Sequence, residues 1–257
     1  MSADPKTCPN VCVEVRDLRK SFNGEEVLKG VSLRVEPGVI FVIMGPSGSG
    51  KSVLLKHMAG LIKPDSGQIL FQGESMETPD IRNKFRMAMV FQSGALLGSL
   101  TVGENVGLYL SEHQLKPPDE IARIVAEKLE AVGLAGEENR MPNDLSGGMQ
   151  KRVAIARALV VDPQLILFDE PTSELDPLMA FTVGQEILKL KQRSQATAIV
   201  VTHDRNLAFG IADGMAMIAD GQILFAGAPE EMRRSPDARV QEFIHKELPP
   251  LRRNGGA

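Results

Sequence analysis

The chain has 257 residues, 43% of them hydrophobic and 24% charged, with a formal net charge of −4 at pH 7. This is ordinary globular usage, enough for one large domain or a domain carrying a helical insertion. The acidic balance disfavours a nucleic-acid partner, because surfaces that track phosphate backbones draw on a basic excess.

At the amino terminus, Asp4, Pro5 and Pro9 interrupt any apolar run, so nothing resembles a secretory signal. Cys8 and Cys12 are the only cysteines; they are too few for a structural zinc site and read as free thiols in a reducing, cytoplasmic setting. Val13 and Val15, then Val31, Leu33 and Val35, alternate with polar residues, which predicts half-buried strands. Val39 to Met44 is continuous and apolar, the pattern of a strand buried on both faces. It is also the longest purely apolar run, far short of the ~20 residues that cross a bilayer, so membrane work would need a spanning partner.

From Asp119 to Val132 the residues Ile121, Ile124, Val125, Leu129 and Val132 share one face of a predicted helix. The runs Leu165 to Phe168, Ala198 to Val201 and Met215 to Ala219 read as buried strands separated by helical stretches, the order of a parallel α/β sheet. Two similar segments, Gly67–Gly73 and Gly221–Gly227, read as short strands between glycine turns. Pro249 to Ala257 is expected to be a loose tail.

Three motifs carry chemistry. Gly45, Pro46, Ser47, Gly48, Ser49, Gly50, Lys51 and Ser52 fit G-x-x-x-x-G-K-[ST], after the buried strand and before a helix expected over Val53 to Ala59. Glycines in this pattern let successive N–H groups converge on phosphate oxygens at a helix start, with Lys51 between the β- and γ-phosphates and Ser52 on Mg²⁺. Strand 165–168 runs into Asp169 and Glu170; strand alternation would aim one carboxylate at a metal and the other at a water. Leu145-Ser146-Gly147-Gly148-Met149-Gln150 opens an apolar helix with Ser146 as N-cap, either a second anion site or a plain capped start.

The ordered set of P-loop, Leu145–Gly148, Asp169–Ser173 with Leu175-Asp176, and His203 resembles the ABC ATPase family over residues 12–228. The resemblance implies an α/β fold: an ABC-type P-loop ATPase with a RecA-like core sheet, an amino-terminal antiparallel β portion and a helical subdomain inserted at about 95–160. A carboxy-terminal extension, 229–257, would follow. It also implies ATP and Mg²⁺ as cofactors and a head-to-tail dimer with a second copy. In that dimer Ser146, Gly147 and Gly148 close on nucleotide held by the partner's P-loop; Val53 and Asp176 are further nucleotide-binding residues. By the same resemblance Phe22 stacks on adenine, Gln92 senses Mg²⁺ and the attacking water with Ser52 and Asp169 as metal residues, Glu170 is the general base, and His203 contacts the γ-phosphate. Phe22 could instead be a core aromatic and His203 a satisfied strand-end histidine. Met149 replaces the family's usual Gln, and Glu174 its usual small residue; Glu174 is expected to point to solvent.

Phe91–Leu96, Met141–Met149 and Asp237–Phe243 further resemble the ATPase subunit of Mla-type phospholipid transporters. That implies a permease of the MlaE kind, a lipid-carrying MCE-domain protein, phospholipid handled by those partners, no nucleic acid, and a place on the cytoplasmic face of a bacterial inner membrane. Ser93, Gly94, Ala95, Leu96 and Leu97 would then either meet the permease or simply pack locally. The alternatives are the ATPase of another permease, or a regulatory or soluble ABC protein that moves no substrate.

Overall fold

The computed structural model describes residues 10–245. Strands β1 (Val13–Phe22) and β2 (Glu25–Val35) form an antiparallel hairpin, joined across β1 to β4 (Ser66–Phe71) and then to β5 (Glu74–Ser75). The hairpin turns through Asn23 and Gly24, both at positive φ (51° and 84°), the geometry whose twist matches the flanking strands.

The second sheet has the order β10 (Gln222–Gly227), β9 (Gly214–Ala219), β3 (Ile40–Met44), β8 (Thr197–Thr202), β7 (Leu165–Asp169), β6 (Met87–Val90). Every pairing in it is parallel except that of β10 with β9. The twin segments read from sequence are therefore β4 and β10, in different sheets.

Continuous apolar runs arise because the parallel sheet is covered on both faces. Phe41, Ile43, Leu165, Leu167, Ile199 and Val201 face a core shared with the antiparallel sheet and α1 (Lys51–Met58). Their neighbours Ile40, Val42, Met44, Ile166, Phe168 and Val200 face a second core. That core is built from α3 (Val102–Glu112), α4 (Pro118–Ala131), α5 (Gly147–Leu159), α6 (Pro177–Ser194) and α7 (Arg205–Ile211). Short α2 (Ile81–Lys84) closes the first core with Ile81 and Phe85. Each fully buried aliphatic side chain contributes about 1.5–3 kcal/mol, and both cores use the same strands, so the sheet cannot slip against one without disturbing the other.

The helix expected over 119–132 is α4, with Pro117 at its cap position and Val125 and Leu129 buried. Beyond β10, α8 (Pro229–Arg233) and α9 (Ala238–His245) bury Met232 and Val240 in the helical-side core, so this stretch is packed. Cys12 is a free, buried thiol whose pKa burial pushes up. Cys8 and the tail from Pro249 lie outside the described residues.

One buried hydroxyl joins three segments. Thr197 Oγ1 donates to Val11 O at 2.7 Å and accepts from Val11 N at 3.2 Å and Gly38 N at 3.0 Å. Thr197→Val keeps the shape but strands these backbone groups, so urea unfolding should show a loss of about 2–4 kcal/mol. Nucleotide affinity should be unchanged, because the junction lies at the start of β8, away from the strand ends that build the site.

Candidate functional site

The parallel strands end on one edge, which in open α/β sheets is where ligands bind. Beyond Met44 the chain enters the Gly45–Ser52 loop. Gly45 has φ 156°, and a Cβ there would lie 2.0 Å from Ile218 O at the end of β9, so a side chain is excluded. Gly50, at φ 98°, is the N-cap of α1; a Cβ would lie 2.8 Å from Leu28 Cδ2. The helix was expected from Val53 but begins at Lys51, because this left-handed glycine turns the chain two residues earlier. Lys51 and Ser52 thus occupy its first turn, and Val53 is half-buried behind them.

Lys51 is buried, and its Nζ donates to Gly45 O and Pro46 O, each at 2.9 Å. Burial pushes its pKa down while Glu170 and then Asp169 pull it back up. Ser52 Oγ donates to Asp169 Oδ1 at 2.7 Å, tying the loop to the end of β7. Ser49 Oγ is buried without a hydrogen-bond partner among the described residues. An orphaned hydroxyl just before the start of α1 fits a phosphate oxygen.

Asp169 and Glu170 do diverge, but not through strand alternation. β7 stops at Asp169, and Glu170 sits at φ 47°, a left-handed turn costing a non-glycine residue roughly 1–2 kcal/mol. Its N–H donates to Val201 O at 2.9 Å, which holds the turn against β8. The Glu170 carboxylate is buried; Oε2 lies 2.9 Å from His203 Nδ1 and accepts from His203 N at 3.3 Å. Oε1 lies 3.9 Å from Lys51 Nζ. His203 therefore has a defined partner while its ring stays 56% exposed. Gln92, after β6, is exposed and lines a groove with Ser173 and His203.

Phe22 is not a core aromatic: it is 39% exposed at the hairpin tip. Lys20 Nζ lies 5.4 Å from its ring centroid and 2.7 Å from Asp65 Oδ1, and Asp65 Oδ2 accepts from Ser21 N at 2.6 Å. Cation and ring are held together on one strand. Lys20 was legible at two residues from Phe22, whereas Asp65 gave no signal until β1 met the loop before β4.

Within one chain the structure brings together Lys51, Ser52, Asp169, Glu170 and His203. Ser146 and Asp176 instead cap α5 and α6 at the surface: Ser146 Oγ accepts from Met149 N, and Asp176 Oδ1 from Leu178 N and Met179 N. Gly147 is exposed beside Ser146, and Gly148 lies against Met179. Among the described residues no group of three or more His, Cys, Asp or Glu could hold a metal. Ser52 and Asp169, joined by their hydrogen bond, offer hard oxygen donors of the kind that suits Mg²⁺ taking its other ligands from phosphate and water.

Sequence reasoning overlooked Lys151, a buried lysine in the second turn of α5. Its Nζ has no hydrogen-bond partner among the described residues, and burial pushes its pKa down, opposed most by Glu174 and then by Asp169 and Glu170. Glu174 itself is exposed, at φ 64°.

A sequence profile described as "ABC transporter" matches residues 28–173. The chain is 40% identical over 241 residues to the "Intermembrane phospholipid transport system ATP-binding protein MlaF" of Haemophilus influenzae, covering 91% of this chain and 90% of that one. It is 39% identical over 251 residues to the "Probable ribonucleotide transport ATP-binding protein mkl" of Mycobacterium leprae, covering 95% and 72%. Among solved structures, the ATP-binding cassette MJ0796, in a dimeric post-hydrolysis state bound to ADP and Pi, superposes with TM-score 0.75 at 33% identity, covering 84% of this chain and 98% of that one.

Because the Glu174 carboxylate is solvated, removing it costs little at the site. Glu174→Ala should leave steady-state turnover within about twofold of the parent, since solvent screens an exposed charge and limits what it contributes. A larger change in phosphate release would mean that Glu174 acts on the nucleotide.

Proposed function

The chain belongs to the ABC transporter family as an ATP-hydrolysing cassette, and from that premise we propose that it drives phospholipid transport between the inner and outer membranes, maintaining lipid asymmetry. The observation that carries the lipid reading is the near end-to-end match to the Haemophilus phospholipid-transport protein. The mycobacterial relative, by contrast, extends further beyond the matched region. Among the described residues no helix is long and apolar enough to cross a membrane, so the transport path belongs to a partner. In this reading that partner is a permease of the MlaE kind, joined to an MCE-domain lipid carrier, with the cassette on the cytoplasmic face of the inner membrane.

In the proposed cycle ATP is held between two copies of the chain. Lys51 leaves the Gly45 and Pro46 carbonyls for the β- and γ-phosphates, and Phe22 stacks on the adenine. Ser52 and Asp169, with Gln92, hold Mg²⁺, which when bound neutralises phosphate charge. Glu170 Oε2 orients the attacking water and accepts its proton, and His203, on the same oxygen, keeps that carboxylate aimed and reaches the γ-phosphate. Ser146, Gly147, Gly148 and Asp176 close on the partner's nucleotide with the N-terminal end of α5.

Two measurements test this reading. Glu170→Gln should bind ATP within a few-fold of the parent yet lower phosphate release by about a hundredfold or more and accumulate an ATP-bound dimer on size exclusion, as expected when the group that activates water is lost. Near-normal release would remove Glu170 from that role. The complex purified from native membranes in mild detergent should carry a multi-span permease, an MCE-domain protein and phospholipid. Recovery of a nucleotide permease instead would move the cargo to the ribonucleotide class, and recovery of no membrane protein would favour a soluble role.

A further inference from the structure

Two polar side chains grip the loop between β6 and α3 at opposite ends. Asn105, fully buried, accepts from Leu97 N at 2.8 Å and donates to Leu97 O, Leu100 O and Thr101 O at 2.9–3.1 Å. At the other end, Arg157 in the last turn of α5 donates from Nη1 to Ala95 O and from Nη2 to Gly94 O, both at 2.7 Å.

The two carbonyls face the guanidinium because Gly94 and Ala95 are both left-handed, at φ 71° and 48°; for alanine this conformation is strained. Gly94 N also donates to Phe91 O at 2.8 Å, closing a turn with Gln92 and Ser93 as its central residues. Gly94 rests on α5 itself, where a Cβ would lie 3.7 Å from Ala154 Cβ and from Gln150 O. Gln150 in turn donates to Pro142 O at 2.9 Å and Leu145 O at 3.4 Å, gripping the segment that leads into the Ser146 cap.

The position is costly for Arg157. Burial alone pushes its pKa down, and among the described residues no carboxylate forms a salt bridge with it. A planar fork meeting two adjacent carbonyls is a task for arginine that a single ammonium cannot reproduce. A half-buried cation answered by backbone dipoles is not a stabilising ion pair.

We propose that Arg157 is a positioning residue that locks the Gln92 turn onto α5, so that Gln92 and the Ser146-capped end of the helix move as one rigid body. Ser146 and Arg157 are eleven residues apart, about 16 Å along a helix. A displacement of the Ser146 end on nucleotide closure is thereby delivered to Gln92 and to the segment Ser93–Leu97. The inference rests on the ATPase reading of Gln92; nucleotide affinity is measured separately so that failures of the two can be told apart.

The chain contains no tryptophan, so Ser93→Trp provides a single indole fluorophore at an exposed position in the turn. In that background Arg157→Lys should raise the acrylamide quenching constant of the indole about threefold by freeing the turn. In the otherwise native chain the same change should lower kcat about tenfold, with KM for ATP and ATP affinity within about twofold, because a slightly misplaced group costs turnover more than binding. Arg157→Gln, which buries no unpaired charge and keeps donors for one carbonyl, guards against a folding defect in the lysine variant and should show an intermediate effect on both readouts. Unchanged quenching and kcat in either folded variant would overturn the proposal, and so would a fall in kcat with unchanged quenching. Retained ATP affinity leaves the nucleotide-site reading standing whichever way Arg157 falls.

Discussion

The parallel pairing of β3 with β8 and of β8 with β7 sets Met44 beside Thr202 and Asp169 beside Val201. The glycine loop, the carboxylate pair and His203 follow directly from these strand ends. Three segments far apart in the chain therefore meet without any long loop reaching across. Both faces of these strands are buried, so the register is locked from two sides. A one-residue slip would bury Asp169 within the sheet or carry it past Ser52.

Backbone strain and buried charge meet at that edge. Glu170 leaves its strand through a left-handed turn, and Lys51 is held between two carbonyls with its charge partly desolvated. Neither arrangement favours folding by itself. Both place groups where a polyanion and its water would need them, and the apolar cores on either side supply the stability that keeps them there.

The helical side repeats this division of labour. Asn105 and Arg157 direct their hydrogen bonds to backbone carbonyls of a connecting loop, which gives the loop a shape that its own sequence does not impose. Leu97, held through its backbone by Asn105, is left 47% exposed. Rigidity at such a surface transmits displacement, whereas a free loop would absorb it.

The residues alone determined the chemistry and much of the architecture. Apolar runs of strand length predicted β3, β7, β8 and β9, helical periodicity predicted α4, and the P-loop pattern with the Asp169-Glu170 pair and the Ser146 segment identified the family, because backbone conformation there depends on glycine and cap residues close in sequence. Even so, neither the start of α1 nor the cause of the Asp169–Glu170 divergence was legible, since both turn on left-handed residues that periodicity does not reveal. Only the tertiary structure decided that Asp65 holds Lys20 beside Phe22, that Thr197 joins three segments, that Lys151 is buried and that Arg157 grips Gly94 and Ala95. Each of these depends on a hydrogen bond or a burial between residues remote in the chain, and those contacts exist only once the sheets have closed.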